Sequence, residues 1–254
     1  MSTTTITFGE CAENHAGMQK LGAAAAAGLT IQDLADAKAR FEAKGYVCQL
    51  VDLAGDAKLG DLKVEPAAVL VVRAGASALG ATSAEFAAEQ ATLTPDRRAF
   101  MYGRVVDKKA RHNLCFGAAA QEPNYEEKKG RVVAFATVPR LAAARAALPA
   151  YFGEKAAGLY AEGNYYYDVK TCGIGFHGDA ERRIVIAMRL GSPMPLHYQW
   201  YHRGNPVGAR IALALGHGDL YAMSSKAVGT DWRLRTVPTL RHAAGADKFL
   251  HPRK

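Results

Sequence analysis

The C-terminal half of the chain consists of short apolar stretches separated by turn residues. Residues 183–190 alternate sufficiently for a strand, and in residues 196–201 the alternation places Tyr198 and Trp200 on one face. A period of two residues is typical of β-strands, and the Gly, Asn, Asp and Pro residues between the stretches favour turns. Strands that follow one another at this short spacing predict a barrel or a jelly roll.

The first third of the chain mixes helical and strand patterns. Thr30 is placed to cap a helix whose apolar residues recur at helical spacing up to Gly45, and the Ala-rich residues 18–27 predict another helix. Apolar runs at residues 46–53 and 67–72 predict strands. The mixture indicates a small α/β unit of undetermined role.

Together these patterns predict an α+β protein in two parts. Residues 1–75 form the small N-terminal α/β unit, and residues 76–254 form a strand-rich domain with flanking helices. One of these helices is predicted to begin at Pro139. Residues 74–80 contain glycines, but their spacing matches neither a dinucleotide-binding nor a phosphate-binding loop.

Charge is distributed unevenly along the chain. The formal net charge is +8, but residues 1–94 carry −4 and residues 95–254 carry +12. A positive field attracts polyanions such as nucleic acid, or a small dianion. Within a basic stretch, Lys108, Lys109 and Arg111 are candidate phosphate contacts. The alternative is that these residues form solvated turns.

The chain contains no apolar run of about 18 residues or more, so no transmembrane helix and no membrane partner are expected. Its N-terminus lacks the basic and apolar regions of a signal peptide. The four cysteines are scattered and form no C-x-x-C pair, which argues against a zinc knuckle or a disulfide scaffold. We therefore expect a cytoplasmic or nuclear protein.

A candidate metal site is defined by His177, Asp179 and a distant histidine, His242. Residues i and i+2 of a strand point to the same side, so His177 and Asp179 can reach one metal ion. Two histidines and one carboxylate are the ligands of the facial triad that holds Fe(II) and leaves other positions open. His217, which precedes Gly218 and Asp219, is the rival for the third position.

The order of motifs resembles the AlkB-like branch of the 2-oxoglutarate- and Fe(II)-dependent dioxygenases over roughly residues 95–254. The motifs are N-x-Y (Asn164, Tyr166), H-x-D-x-E (His177, Asp179, Glu181), N-P (Asn205, Pro206), H-G-D (His217, Gly218, Asp219) and the late His242. The resemblance implies a double-stranded β-helix, or jelly roll. It also implies bound Fe(II), with 2-oxoglutarate and O2 as cosubstrates.

The resemblance assigns further roles by position. Asn164 and Tyr166 would contact 2-oxoglutarate, Glu181 would face the substrate base, and Arg253 would form a bidentate pair with the distal carboxylate. The second arginine of the family pattern is missing, and residues 226–235 form an insert that is either a lid or a substrate contact. If Arg253 is not the clamp, the candidates are Arg189, Arg210 and Arg241.

The expected function is oxidation of a methyl or alkyl group, with oxidative demethylation of an alkylated nucleic-acid base favoured by the basic catalytic half. A base in a duplex would have to be flipped out, and Phe116, Tyr198 or Trp200 would stack on it. The alternatives are hydroxylation of a pyrimidine methyl group, as in thymine or 5-methylcytosine, and a small-molecule or protein hydroxylase. A non-enzymatic binding module would require the three metal ligands to be coincidental.

Overall fold

Strands make up most of the regular structure. A computed structural model describes residues 1–251, and the predicted cosubstrate residue Arg253 lies outside them. The strands are β1 (Thr3–Gly9), β2 (Cys11–Glu13), β3 (Lys20–Gly22), β4 (Cys48–Asp52), β5 (Ala68–Val72), β6 (Arg98–Met101), β7 (Arg104–Asp107), β8 (His112–Gly117), β9 (Val132–Ala134), β10 (Tyr160–Tyr166), β11 (Gly173–His177), β12 (Val185–Gly191), β13 (Leu196–His202), β14 (Asn205–Leu213), β15 (Leu220–Met223) and β16 (Thr239–Gly245). The helices are α1 (Ile31–Glu42), α2 (Ser83–Ala91), α3 (Pro139–Phe152), α4 (Ser225–Val228) and α5 (Asp247–Leu250).

The start of α1 follows the predicted capping chemistry. Thr30 Oγ1 accepts a hydrogen bond from the backbone N–H of Asp33 at 3.0 Å, and the Asp33 carboxylate accepts one from the backbone N–H of Thr30 at 2.7 Å. This reciprocal pair satisfies two donors that the helix itself leaves unpaired. The helix then packs Leu34, Ala37 and Phe41 into the core, as its apolar spacing predicts.

The helix predicted over residues 18–27 is wrong. Lys20–Gly22 instead forms β3, which pairs with β2 in an antiparallel ribbon, and Gly22 adopts a φ of 77°. The alanines that follow are mostly exposed. A helix in this segment would have no apolar face to bury, and helix propensity alone does not stabilise so short a helix.

The first strand of the chain lies inside the largest sheet. The strand order of this eight-stranded sheet is β4-β5-β15-β12-β1-β10-β8-β9, and β1 runs antiparallel to both β10 and β12. Its side chains alternate between the two faces of the sheet. Ile6 and Phe8 pack in the core with the helices, whereas Thr5 and Thr7 face a cavity on the opposite side.

The boundary predicted at residue 75 runs through this sheet. Strands β1, β4 and β5 precede residue 75, and within the sheet β1 is hydrogen-bonded to β10 and β12 and β5 to β15, all of which follow it. The core is shared as well, because Phe41 of α1 stacks on Tyr151 of α3 with ring centroids 4.0 Å apart. The first 75 residues therefore share one sheet and one core with the rest of the chain.

A second, four-stranded sheet has the order β11-β16-β13-β14. Apolar side chains of both sheets meet in one core cluster, in which Val185 and Tyr221 of the large sheet join Tyr198, Trp200 and Leu240 of the small one. The large sheet thus has helices on one face and the small sheet on the other. Both sheets are open, and the protein is a mixed α+β structure that is mostly sheet.

The helices and the cysteines were the subject of two predictions from the sequence. Within residues 1–251, the helices lack the length and apolar character needed to span a membrane. All four cysteines carry free thiols, and Cys172 is buried, as expected for a small apolar side chain.

Candidate metal centre

The three predicted metal ligands converge between the two sheets. His177 ends β11, and the strand register places it opposite His242 on β16. Oδ1 of Asp179 lies 3.5 Å from Nε2 of His177 and 3.6 Å from Nε2 of His242. One ligand atom from each residue lies within 4.8 Å of the other two. His217 is engaged elsewhere, because its Nδ1 accepts a hydrogen bond from Gly191 N–H at 3.0 Å.

The residue between His177, which ends β11, and Asp179, which follows the strand, is fixed by a close backbone approach. Asp179 N–H donates to the carbonyl oxygen of Val228, the last residue of α4, at 3.0 Å, which draws the segment after β11 against the end of α4. A Cβ on Gly178 would overlap the backbone of Gly229. Only glycine fits between the two ligands in this position.

The donor set fits a divalent transition metal. Nδ1 of His177 lies 2.8 Å from the carbonyl oxygen of Gly175, which can only accept, so Nδ1 carries the proton and Nε2 presents a lone pair. Burial, followed by the nearby His242, lowers the pKa of His177 to about 3. The imidazole is therefore neutral at physiological pH and available as a ligand. Together, His177, Asp179 and His242 could hold a metal ion.

A buried arginine orients the carboxylate ligand. Arg182 donates to Glu162 at 2.5 Å and to Glu181 at 2.8 Å, and its Nε lies 3.6 Å from Oδ2 of Asp179. Burial alone would raise the pKa of Asp179, but His242 and Arg182 lower it below its ordinary value. Oδ2 thus faces the guanidinium while Oδ1 faces the imidazoles, and partners of this kind tune metal ligands. Sequence reasoning missed Glu162 and Arg182, since nothing in the sequence marks them as buried partners.

No protein-family profile matches the chain. The chain is 51% identical over 251 residues to an uncharacterized protein of Acanthamoeba polyphaga mimivirus, and the match covers 98% of this chain and 97% of the viral protein. The two proteins belong to one family. Since the viral member is uncharacterized, membership of this family names no reaction.

The residues expected to contact the cosubstrate line the same cavity as the triad. This cavity has a volume of about 640 Å³, and Asn164 and Tyr166 are among its lining residues. Oδ1 of Asn164 accepts from Arg111 Nε and from Asn113 Nδ2, each at 2.6 Å. Its Nδ2 donates to Glu162, so one amide hydrogen is left for a ligand. The contact of these residues with 2-oxoglutarate remains a prediction.

Glu181 lines the cavity but does not point freely into it. Its Oε1 accepts hydrogen bonds from Nε and Nη2 of Arg182 at 3.0 and 2.8 Å. Burial raises the pKa of Glu181, and the nearby charge of Asp179 raises it further. The structure therefore shows Glu181 as a partner of Arg182, and its contact with a substrate base remains a prediction.

The candidate phosphate contacts are dispersed. The ammonium group of Lys108 is buried between the side-chain oxygens of Asn14 and Asn113, and burial lowers its pKa to about 8. Lys108 is therefore unavailable to nucleic acid, and that prediction is wrong. Lys109 is exposed, whereas Arg111 lines the metal cavity.

The prediction that an aromatic residue of this set stacks on a base is also wrong. Tyr198, Trp200 and Phe116 are fully buried, and Trp200 Nε1 donates to the carbonyl oxygen of Leu53 at 2.8 Å. The alternation along β13 correctly placed Tyr198 and Trp200 on one face. That face packs against the large sheet, a fact that periodicity could not reveal because it does not say which face is buried.

Sequence reasoning missed a group of arginines that stack on aromatic rings, two of which, Phe176 and Trp232, line the cavity. Guanidinium carbons lie 3.9 Å from the ring centre of Tyr201 (Arg241), 5.2 Å from that of Trp232 (Arg233) and 5.1 Å from that of Phe176 (Arg210). We call Arg203, Arg210, Arg233, Arg235 and Arg241 the arginine face. Within residues 1–251 none of them forms an ion pair with a carboxylate. Arg233 and Arg235 belong to the insert at residues 226–235, which the sequence predicts to be a lid or a substrate contact.

The metal-free protein is expected to lose stability as pH falls from about 6.5 toward 3. Below pH 6.5, the ordinary pKa of histidine, the unfolded chain takes up a proton on His177, which the folded protein accepts only near pH 3. Asp179 acts in the same direction below pH 3.8, because its folded pKa is depressed. Thermal midpoints of metal-free wild type and His177→Gln across this range test the effect. The variant should show a flatter curve, and parallel curves would contradict the assignment.

Proposed function

We propose that the protein is an Fe(II)- and 2-oxoglutarate-dependent dioxygenase that oxidises a methyl or alkyl group on a nucleic-acid base. The observation that carries the proposal is the convergence of Nε2 of His177, Oδ1 of Asp179 and Nε2 of His242 on one point of a cavity. Two imidazoles and one carboxylate with open positions beyond them are the ligand set of non-haem Fe(II) oxygenases.

The strand order supports a jelly roll of the predicted kind. From β10 onward the chain crosses from sheet to sheet except at the β13–β14 hairpin, with β10, β12 and β15 in the large sheet and β11, β13, β14 and β16 in the small one. With β1 between β10 and β12, four adjacent strands of the large sheet oppose the four of the small sheet. Eight strands in two sheets are the jelly-roll number. The start of the chain would then supply the eighth strand.

Each group of residues at the site would have a separate role. Bound iron would supply, with 2-oxoglutarate and O2, the redox chemistry that oxidises a C–H bond. His177, Asp179 and His242 would hold the metal, and Arg182 would keep the carboxylate of Asp179 ionised and aligned. The buried walls contributed by both sheets would limit access of bulk water to the reacting groups.

The arginine face supports nucleic acid as the substrate. Trp232 and Arg233 line the metal cavity, so the face begins where a flipped base would enter. Guanidinium groups without acidic partners are suited to phosphates, and aromatic rings beneath them offer stacking surfaces. Phosphate binding is therefore assigned to the arginine face instead of the basic stretch around Lys108.

The proposal predicts that the iron-loaded protein, given 2-oxoglutarate and a panel of N-methylated and C-methylated DNA and RNA oligonucleotides, forms succinate and changes the mass of a base. Both products should be measured in the same reaction. Loss of an N-methyl group would support demethylation, whereas a retained hydroxymethyl group would support the pyrimidine alternative. Succinate without any base change would favour a small-molecule or protein substrate, and no succinate would reject the dioxygenase.

The substrate part of the proposal has a matched control. The double variant Arg233→Glu/Arg235→Glu should weaken oligonucleotide binding, and the slope of log affinity against log salt should fall by about 1 for each phosphate that is no longer neutralised. Arg97→Glu/Arg98→Glu makes the same charge change on an exposed segment away from the cavity. Equal weakening by both double variants would indicate only a response to total charge.

A further inference from the structure

Arg189 is a buried cation without an acidic partner among residues 1–251. It lies on β12, its side chain is 1% exposed, and it lines the metal cavity. Its Nη1 donates to Thr5 Oγ1 at 2.7 Å, while its Nε has no partner in the same described part of the chain. A buried guanidinium is ordinarily paired with a carboxylate or phosphate, because removing its charge from water is otherwise unfavourable.

The surroundings of Arg189 are built from a polar row across the large sheet. Strand registers place Asn113 opposite Asn164, Asn164 opposite Thr5, and Thr5 opposite Arg189. These four residues contact one another in pairs, because Asn113 donates to Asn164 and Arg189 donates to Thr5. The interior of a sheet packed on both faces is ordinarily apolar, so a polar row of this kind indicates a ligand.

Two tyrosines complete the polar wall. Tyr166 and Tyr221 line the same cavity. Burial raises the pKa of Tyr221 to about 12 and also raises the pKa of Tyr166. Both phenols are therefore protonated at neutral pH and able to donate. A guanidinium and two hydroxyl donors form a site for an oxyanion.

We propose that Arg189, supported by Thr5, binds one carboxylate of a small dicarboxylic acid whose other end lies at the His177, Asp179 and His242 centre. The proposal rests on the proposed function in naming 2-oxoglutarate as that acid. It assigns the carboxylate clamp to the first strand of the chain and to β12, in place of the segment after His242 that contains Arg253. A planar guanidinium suits a carboxylate because it can donate two parallel hydrogen bonds.

The test is calorimetric titration of 2-oxoglutarate into Mn(II)-loaded protein without O2, which measures binding and requires no turnover. Arg189→Gln should weaken binding by roughly 30-fold or more, and Arg189→Lys should recover part of it. Mn(II) affinity, titrated separately, should be unchanged in both variants. Arg145→Gln is the matched control, since Arg145 is a half-buried arginine outside the cavity that packs on Phe135.

A variant that keeps the core intact guards against misfolding. Thr5→Val has nearly the same shape and removes only the hydroxyl that holds Nη1 of Arg189. It should weaken 2-oxoglutarate binding several-fold, while the circular dichroism spectrum and the Mn(II) affinity stay at their wild-type values. Wild-type affinity in Thr5→Val and Arg189→Lys would overturn the proposal, as would loss of binding in Arg253→Gln but not in the Arg189 variants. Inorganic phosphate that competes as strongly as 2-oxoglutarate would overturn the carboxylate assignment.

The two proposals fail in different ways. If wild type binds 2-oxoglutarate through Arg189 but forms no succinate with any substrate, the dioxygenase is rejected and the carboxylate site stands. If wild type turns over 2-oxoglutarate and the Arg189 variants bind it equally well, the clamp is rejected and the dioxygenase stands. If wild type binds no dicarboxylate, both are rejected.

Discussion

Replacing His177, Asp179 or His242 by alanine should weaken Fe(II) binding by more than about 100-fold. Substitution of residues that only support metal ligands lowers metal affinity by about 10–100-fold, and loss of a ligand lowers it further. Each side chain lines a cavity rather than filling the apolar core, so the folded state should survive. Competition with a chelator under anaerobic conditions measures affinity, and circular dichroism checks the fold.

The control for the metal ligands is His217→Ala. His217 lies in an H-G-D motif that resembles a second ligand pair in sequence, but its Nδ1 is bonded to Gly191 N–H. The variant should bind Fe(II) as wild type does. Loss of iron in His217→Ala together with retention in His242→Ala would refute the assignment of the third ligand.

Deleting residues 1–9 should abolish cooperative folding altogether. β1 forms seven register pairs with β10 and six with β12, so its removal leaves each of these two central strands with one unpaired edge and splits the large sheet. Ile6 and Phe8 are fully buried.

Phe8→Ala alone should lower the free energy of unfolding by about 3–5 kcal/mol, because it leaves a cavity in the core. Denaturant unfolding measures the loss.

A peripheral phenylalanine provides the comparison. Phe100 lies half-buried on the two-stranded β6–β7 ribbon, so Phe100→Ala should cost about 1 kcal/mol. If residues 1–75 were an independent unit, deleting residues 1–9 would leave a cooperative transition for the remaining domain. Such a transition would contradict the shared sheet.

The sequence predicted the local features of this protein better than its long-range ones. The cap at Thr30 depends on neighbouring residues, and the structure confirms it. His177 and Asp179 also come together, but β11 ends at His177, so the predicted strand geometry is not what places Asp179. The partners of Arg182 are 20 residues and one residue away, at Glu162 and Glu181. The more distant pairing depends on sheet order, which no local pattern specifies.

The errors have a common physical cause. Lys108 was assigned to phosphate because of its charge and Trp200 to base stacking because of its ring, but the fold buries both side chains. The helix expected at residues 18–27 followed alanine propensity, which tertiary pairing overrides. In each case the missing information was which face of an element another element covers.

The central position of β1 has a consequence for synthesis of the chain on the ribosome. Thr5 has its sheet partners at Asn164 and Arg189, so β1 leaves the ribosome long before residues up to 191 are available to pair with it. Until then its apolar side chains and unpaired backbone edges stay exposed, a condition that favours aggregation and chaperone binding. Contacts so distant in sequence also slow folding. The metal cavity, with Thr5 and Thr7 in its wall, therefore forms late in synthesis.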